Sequence, residues 1–142
     1  MLLLDRVIYQ TRVKATAARD TRAVSSDGVL DLKVSRPREL GGTNGRGTNP
    51  EQLFAASYAA CFLGMMRLVA MREAIVLPTD TEVEANVGVG PTRLGLGIEV
   101  ELRICLPGLP RPEADLLVEK SHAMCPYSNA TRNNVHVRLV LA

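Results

Sequence analysis

The sequence predicts an α+β fold, a single domain over residues 1–142 in which antiparallel strands surround a long central helix and a second, shorter one. Three observations predict it. An uncharged run at helical spacing covers residues 52–66 behind a marked start; alternating segments flank it on both sides; a second amphipathic stretch opens at Pro112. At 142 residues the chain has the size of one domain, yet a helix apolar on several sides strains its capacity to cover everything. Oligomerisation would relieve that strain.

Residues 2–16 alternate, with Val7, Tyr9, Thr11, Val13 and Ala15 on one side and Arg6, Ile8, Gln10, Arg12 and Lys14 on the other, the pattern of a half-buried strand. Residues 18–22 are polar and read as a turn, and Ser25-Ser26-Asp27-Gly28 is a second turn before a strand in which Leu30, Leu32 and Val34 share a face. Arg19 thus falls at or just beyond a strand end, where loops present functional side chains. The glycine-rich GGTNGRGTN at 41–49 carries neither the Lys-Ser/Thr of a Walker loop nor GxGxxG spacing, so it reads as a connector rather than a phosphate cradle.

The long helix begins at Asn49, whose side-chain oxygen suits the cap, followed by Pro50 at the first helical position and Glu51 and Gln52 at the positive end. Phe54, Tyr58, Cys61, Met65 and Leu68 fall on one stripe; Phe62, Met66 and Val69 form another. A bilayer takes about 20 apolar residues, and Arg67, Arg72 and Glu73 close the run first, so the expectation is a core or interface helix and no membrane partner.

Val83, Ala85, Val87 and Val89 then alternate with polar residues, Gly90-Pro91-Thr92 reads as a turn, and Ile98, Val100, Leu102, Ile104 and Leu106 make the antiparallel partner. Cys105 falls on the polar face of that strand, with no role. Residues 107–112 link to a helix running through about His122, with Leu116, Leu117 and Val118 apolar. Pro126 disfavours helical geometry at Cys125, so CPYSNATR starts a new turn, and Val135, Val137, Leu139 and Leu141 make a closing strand.

Seventeen basic and fifteen acidic residues give a net charge of +2 without long runs of one sign, so nothing argues for nucleic acid. The N-terminus falls short of a signal peptide, which points to a reducing cytoplasm, where three cysteines are buried bystanders or working thiols rather than a disulfide framework. Cys61 admits both readings. Mid-helix burial raises a thiol pKa, so a reactive Cys61 needs a cation brought from elsewhere, with Arg19 a candidate. His122 and Cys125 are spaced as a single pair of metal ligands where zinc wants four, and no metal is assigned.

TNPEQLFAASYAACF around Cys61 and CPYSNATR from Cys125 resemble the two cysteine motifs of the organic hydroperoxide resistance proteins, a branch of the family that also contains the osmotically inducible peroxidases. The resemblance extends over the whole chain, including Arg19-Asp20 and the SSDG turn. It implies a thiol-dependent peroxidase with Cys61 as peroxidatic and Cys125 as resolving cysteine, and Arg19 and Glu51 as the pair that holds the thiolate. It further implies an intertwined homodimer with two sites at the subunit interface, organic and fatty-acid hydroperoxides as substrates, and no bound cofactor. The implied reductant is a dihydrolipoyl group, carried by dihydrolipoamide or a lipoylated protein. Two departures stand out: Ala17-Ala18 and Ser57 occupy positions where the family usually has glycine.

On that reading, the uncharged side chains of Phe54, Tyr58, Phe62, Met65 and Met66 offer a pocket for an acyl or aryl tail. Glu51 lies ten positions before Cys61, about 15 Å along a helix, so the simplest way for it to act at the thiolate is across two helices packed antiparallel in a dimer. Two other classes stay open from the residues alone. One is a non-catalytic module binding acyl chains or lipoylated proteins, with Cys61 in the core. The other is a general thiol oxidoreductase, against which stand the missing CxxC and cysteines 64 positions apart.

Overall fold

The computed structural model describes all residues except Leu2 and residues 18–20. Two compact units are present, Met1–Leu53 and Phe54–Ala142, and the long helix α1 (Pro50–Arg72) runs through their boundary. In the first unit β1 (Val13–Thr16), β2 (Arg22–Ser25) and β3 (Asp31–Lys33) form an antiparallel sheet in the order β1-β2-β3. Among the described residues of the expected strand over 2–16, only the last four are strand. Leu3, Leu4, Val7, Ile8 and Tyr9 stand exposed, outside any strand of the chain. β2 begins in the stretch read as a polar turn. With four residues and only Ala23 buried, it is too short to show a period of two.

The SSDG turn forms as expected, closed by Gly28 N–H donating to Ser25 O at 3.0 Å with Gly28 at φ 75°. Gly47 has a packing reason: a Cβ there would lie 2.8 Å from Lys33 O and Ser35 N, where the chain bridges Val34 to Thr48 on its way into α1. The helix start follows the sequence, with Asn49 Oδ1 accepting the Gln52 N–H at 2.8 Å.

The second unit packs α1 and α2 (Arg111–Met124) with a sheet of β4 (Glu82–Thr92), β5 (Gly95–Cys105) and β6 (His136–Leu141), in the order β4-β5-β6. β4 and β5 are antiparallel, while β6 runs parallel to β5. The hairpin turns at Arg93-Leu94, three residues beyond the Gly90-Pro91 signal. Pro91 stays in β4, tolerated because β4 is an edge strand. Val100, Leu102 and Ile104 of β5 meet Tyr58, Phe62, Met66, Val69 and Ala70 of α1 and Ala114, Leu117 and Val118 of α2 in one core. At 23 residues α1 is, contrary to the expectation from its uncharged run, long and apolar enough to cross a membrane by length and composition, because Arg67 does not end the helix. Its buried stripe nevertheless lies in the protein core.

Candidate active site

Cys61 sits mid-way along α1, half-buried. Cys125 is the hinge between α2 and the short α3 (Pro126–Thr131): its N–H closes the last turn of α2 on Ser121 O at 2.8 Å, and Pro126 holds it extended at φ −65°, ψ 125°. That kink turns the fully buried Cys125 side chain onto α1, and its sulfur lies 3.8 Å from that of Cys61. Sequence spacing could not supply this meeting; the break at Pro126 does.

α3 contributes a second group. Tyr127 follows Pro126 in its first turn, where a backbone N–H has no helical partner, and this N–H favours the charged form of the Cys61 sulfur. Phe54, Tyr58 and Tyr127, from the same helices as the two cysteines or the turn after them, pack against one another. The Phe54 and Tyr127 rings are stacked with centroids 6.5 Å apart, and Tyr58 meets both edge-on at 6.1 and 5.8 Å.

The described surroundings do not by themselves make Cys61 a thiolate. Burial pushes its pKa above the ordinary value, the neighbouring Cys125 adds to this, and only the Tyr127 N–H pulls the other way. Arg19 lies outside the described residues. Glu51, in the first turn of α1, has its Oε2 buried with no hydrogen-bond partner among the described residues.

Of the five predicted pocket residues, Tyr58, Phe62 and Met66 are fully buried core, while Phe54 and Met65 are only partly buried. Apolar spacing alone does not distinguish a core stripe from a pocket wall. Ser57, the departure one turn before Cys61, turns its hydroxyl back onto Phe54 O at 2.9 Å, so the helix absorbs it. His122 is not the solvated last-turn residue that its position suggests. Its Nδ1 lies 2.9 Å from Ser128 Oγ, and its own carbonyl accepts from Arg132 Nη2 at 2.9 Å. Burial, then the Arg132 charge, holds the His122 pKa low. Among the described residues no group of three or more His, Cys, Asp or Glu is placed to hold a metal.

The OsmC-like protein family matches residues 42–140. An organic hydroperoxide resistance protein of Xanthomonas axonopodis pv. citri is 54% identical over 138 residues, covering 97% of each chain. The chain belongs to the OsmC-like family, in its organic hydroperoxide resistance branch. Within that branch, the protein OhrA of Bacillus subtilis is 38% identical, covering 98% of this chain and 99% of its own. The crystal structure of an organic hydroperoxide resistance protein from Elizabethkingia anophelis, with crystallant-derived thiocyanate bound, superposes with a TM-score of 0.91. It is 43% identical and covers 96% of this chain and 98% of that one. The whole α+β architecture described above, long helix included, is thus that of the family.

Proposed function

We propose that this chain is a thiol-dependent peroxidase that reduces organic hydroperoxides, fatty-acid hydroperoxides among them, to alcohols. The observation that carries the reading is the approach of the Cys61 and Cys125 sulfurs to 3.8 Å. The Cys61 thiolate attacks the terminal oxygen of ROOH: an S–O bond forms, the O–O bond breaks, and the alkoxide takes a proton to leave as ROH. Sulfur is oxidised and the peroxide reduced by the same electron pair. Cys125 then attacks the Cys61 sulfenic acid, forming S–S and releasing water, and a dithiol returns both thiols by exchange.

The reductant in this reading is a dihydrolipoyl group, free as dihydrolipoamide or on a lipoylated protein, and no bound cofactor is needed. Cys61 is half-buried and Cys125 fully buried, so an incoming thiolate meets the Cys61 sulfur first and expels Cys125. Since the described neighbours raise the Cys61 pKa, a cation must lower it, and Arg19 takes that role. A buried carboxylate oxygen without a partner calls for a donor. Glu51 Oε2 is such an atom, which supports Glu51 as the group that holds the arginine fork. Phe54 and Met65 of α1, with Tyr127, are the apolar groups left to face a substrate tail.

The working protein in this reading is a homodimer. Along α1, Ala56, Ala60 and Gly64 form an exposed stripe of small residues at four-residue spacing, and Leu3, Leu4, Val7, Ile8 and Tyr9 of the N-terminal segment are exposed. A second copy would cover both. A cytoplasmic location fits chemistry that starts from reduced thiols.

The test is consumption of cumene hydroperoxide by the pure protein with dihydrolipoamide. Turnover is expected in the native chain, faster than with hydrogen peroxide because each buried methylene contributes about 0.8 kcal/mol, and none is expected in Cys61→Ser. An inactive native chain, or an active Cys61→Ser, overturns the reading.

A further inference from the structure

Between the helices that carry the two sulfurs runs a chain of four hydrogen-bonded side chains, three of them buried, that the peroxidase chemistry does not use. Ser128 Oγ lies 2.9 Å from His122 Nδ1 and 3.0 Å from the Tyr58 hydroxyl, which in turn lies 3.3 Å from Thr131 Oγ1. Tyr58 and Ser128 are fully buried and Thr131 nearly so.

Counting hydrogens orients the chain. The single Thr131 hydroxyl hydrogen goes to a backbone carbonyl, Tyr127 O at 2.9 Å or Ser128 O at 3.2 Å, so toward Tyr58 it only accepts. Every link is filled if Tyr58 donates to Thr131, Ser128 donates to Tyr58, and His122 Nδ1–H donates to Ser128. Were Tyr58 to donate to Ser128 instead, the Tyr58 and Thr131 oxygens would face each other with no hydrogen between them, an expensive arrangement for buried groups. The filled chain therefore requires a hydrogen on Nδ1, and a run of aligned bonds of this kind is mutually reinforcing.

Its anchor points flank the reacting atoms. Tyr58 stands three residues before Cys61 on α1; His122 stands three before Cys125 on α2 and Ser128 three after it on α3. The chain thus ties the helix that carries one sulfur to both helices that hinge at the other. The sulfurs must close from 3.8 Å to a bond of about 2.05 Å, a step that depends steeply on placement.

We infer that His122 and Ser128 are positioning residues for disulfide closure: through Tyr58 and Thr131 they hold Cys125 against Cys61, so that the sulfenic acid is captured before a second peroxide oxidises it. This rests on the peroxidase reading, but the two fail differently.

The experiment is a single turnover of the full-length native chain, Ser128→Ala, His122→Leu, His122→Asn and His122→Gln with one equivalent of cumene hydroperoxide. Sulfenic acid is trapped with dimedone, and disulfide and sulfinic acid are counted by intact mass. Closure is expected to slow by about ten- to a hundredfold in Ser128→Ala and His122→Leu, with sulfenic acid formation much less affected and sulfinic acid accumulating. His122→Asn, whose amide N–H can take the place of Nδ1–H, should recover most of the loss; His122→Gln, which reaches the Nε2 position, should not. Native closure rates in Ser128→Ala and His122→Leu overturn the inference, and so do losses shared equally between the two steps or equal recovery by Asn and Gln. If the native chain forms no sulfenic acid, the peroxidase reading falls alone. Closure is then driven with diamide, where Ser128→Ala and His122→Leu must still be slow and His122→Asn fast for the inference to stand.

Discussion

Cys61 and Cys125, 64 positions apart, bring their sulfurs to 3.8 Å, in contact but not bonded. The third cysteine, Cys105, lies half-exposed at the end of β5, opposite Glu82. Cys125→Ser is therefore expected to complete one reduction and then stall, with Cys61 passing to sulfinic acid as peroxide is added. Intact mass after one equivalent of peroxide reads this in the native chain as a loss of two hydrogens, and peptide mapping should find Cys61 joined to Cys125. A disulfide through Cys105 would remove the resolving role.

The His122 pKa predicts a pH dependence of stability. Burial and the Arg132 charge hold it below its ordinary value of 6.5, so on acidification the unfolded chain takes up this proton first. Over the window between 6.5 and the lower native value the unfolded state binds more protons, and stability falls as pH falls. The contribution is fully present above that window. The urea midpoint of the native chain is expected to drop between about pH 7 and about pH 5 more than that of His122→Asn, which lacks the titrating group. Parallel curves would mean that the His122 pKa is not lowered on folding.

Ser121 is fully buried in α2, and its hydroxyl has no hydrogen-bond partner among the described residues. Removing an unsatisfied buried polar atom relieves its desolvation, so Ser121→Ala is expected to leave stability unchanged or raise it by up to about 1 kcal/mol, measured by urea unfolding. A loss beyond about 1 kcal/mol would reveal a partner for that hydroxyl.

Glu51 predicts how the sites are shared. It lies ten residues before Cys61, about 15 Å away along α1, too far for its carboxylate to serve that sulfur directly. If each site takes Cys61 and Cys125 from one subunit and Glu51 from the other, then Cys61→Ser and Glu51→Ala chains, each inactive alone, should regain activity when mixed under exchanging conditions. Each heterodimer then has both lesions in one site and a whole second site, so about a quarter of native activity is expected from random pairing. Confirmed exchange without activity would rule out the shared site.

Local chemistry carried much of this molecule in plain view. Asn49-Pro50 starts α1, SSDG turns the first sheet, and the alternation of β4 and β5 and the break before Pro126 all follow from rules that act within a few residues. Where one weak signal competed with another, the sequence misled. Gly90-Pro91 outweighed the unremarkable Arg93-Leu94 pair that makes the turn, and four residues of β2 were too few to alternate visibly. What only the tertiary structure decided is which groups meet. That Tyr58, Phe62 and Met66 are core while Phe54 and Met65 keep some exposure depends on where β5 and α2 lie against α1. The run His122–Ser128–Tyr58–Thr131 joins three helices through single hydrogen bonds. Hydrogen bonds are set by distances of a few ångströms, and residues 58 and 128 acquire such a distance only when the chain has folded back on itself.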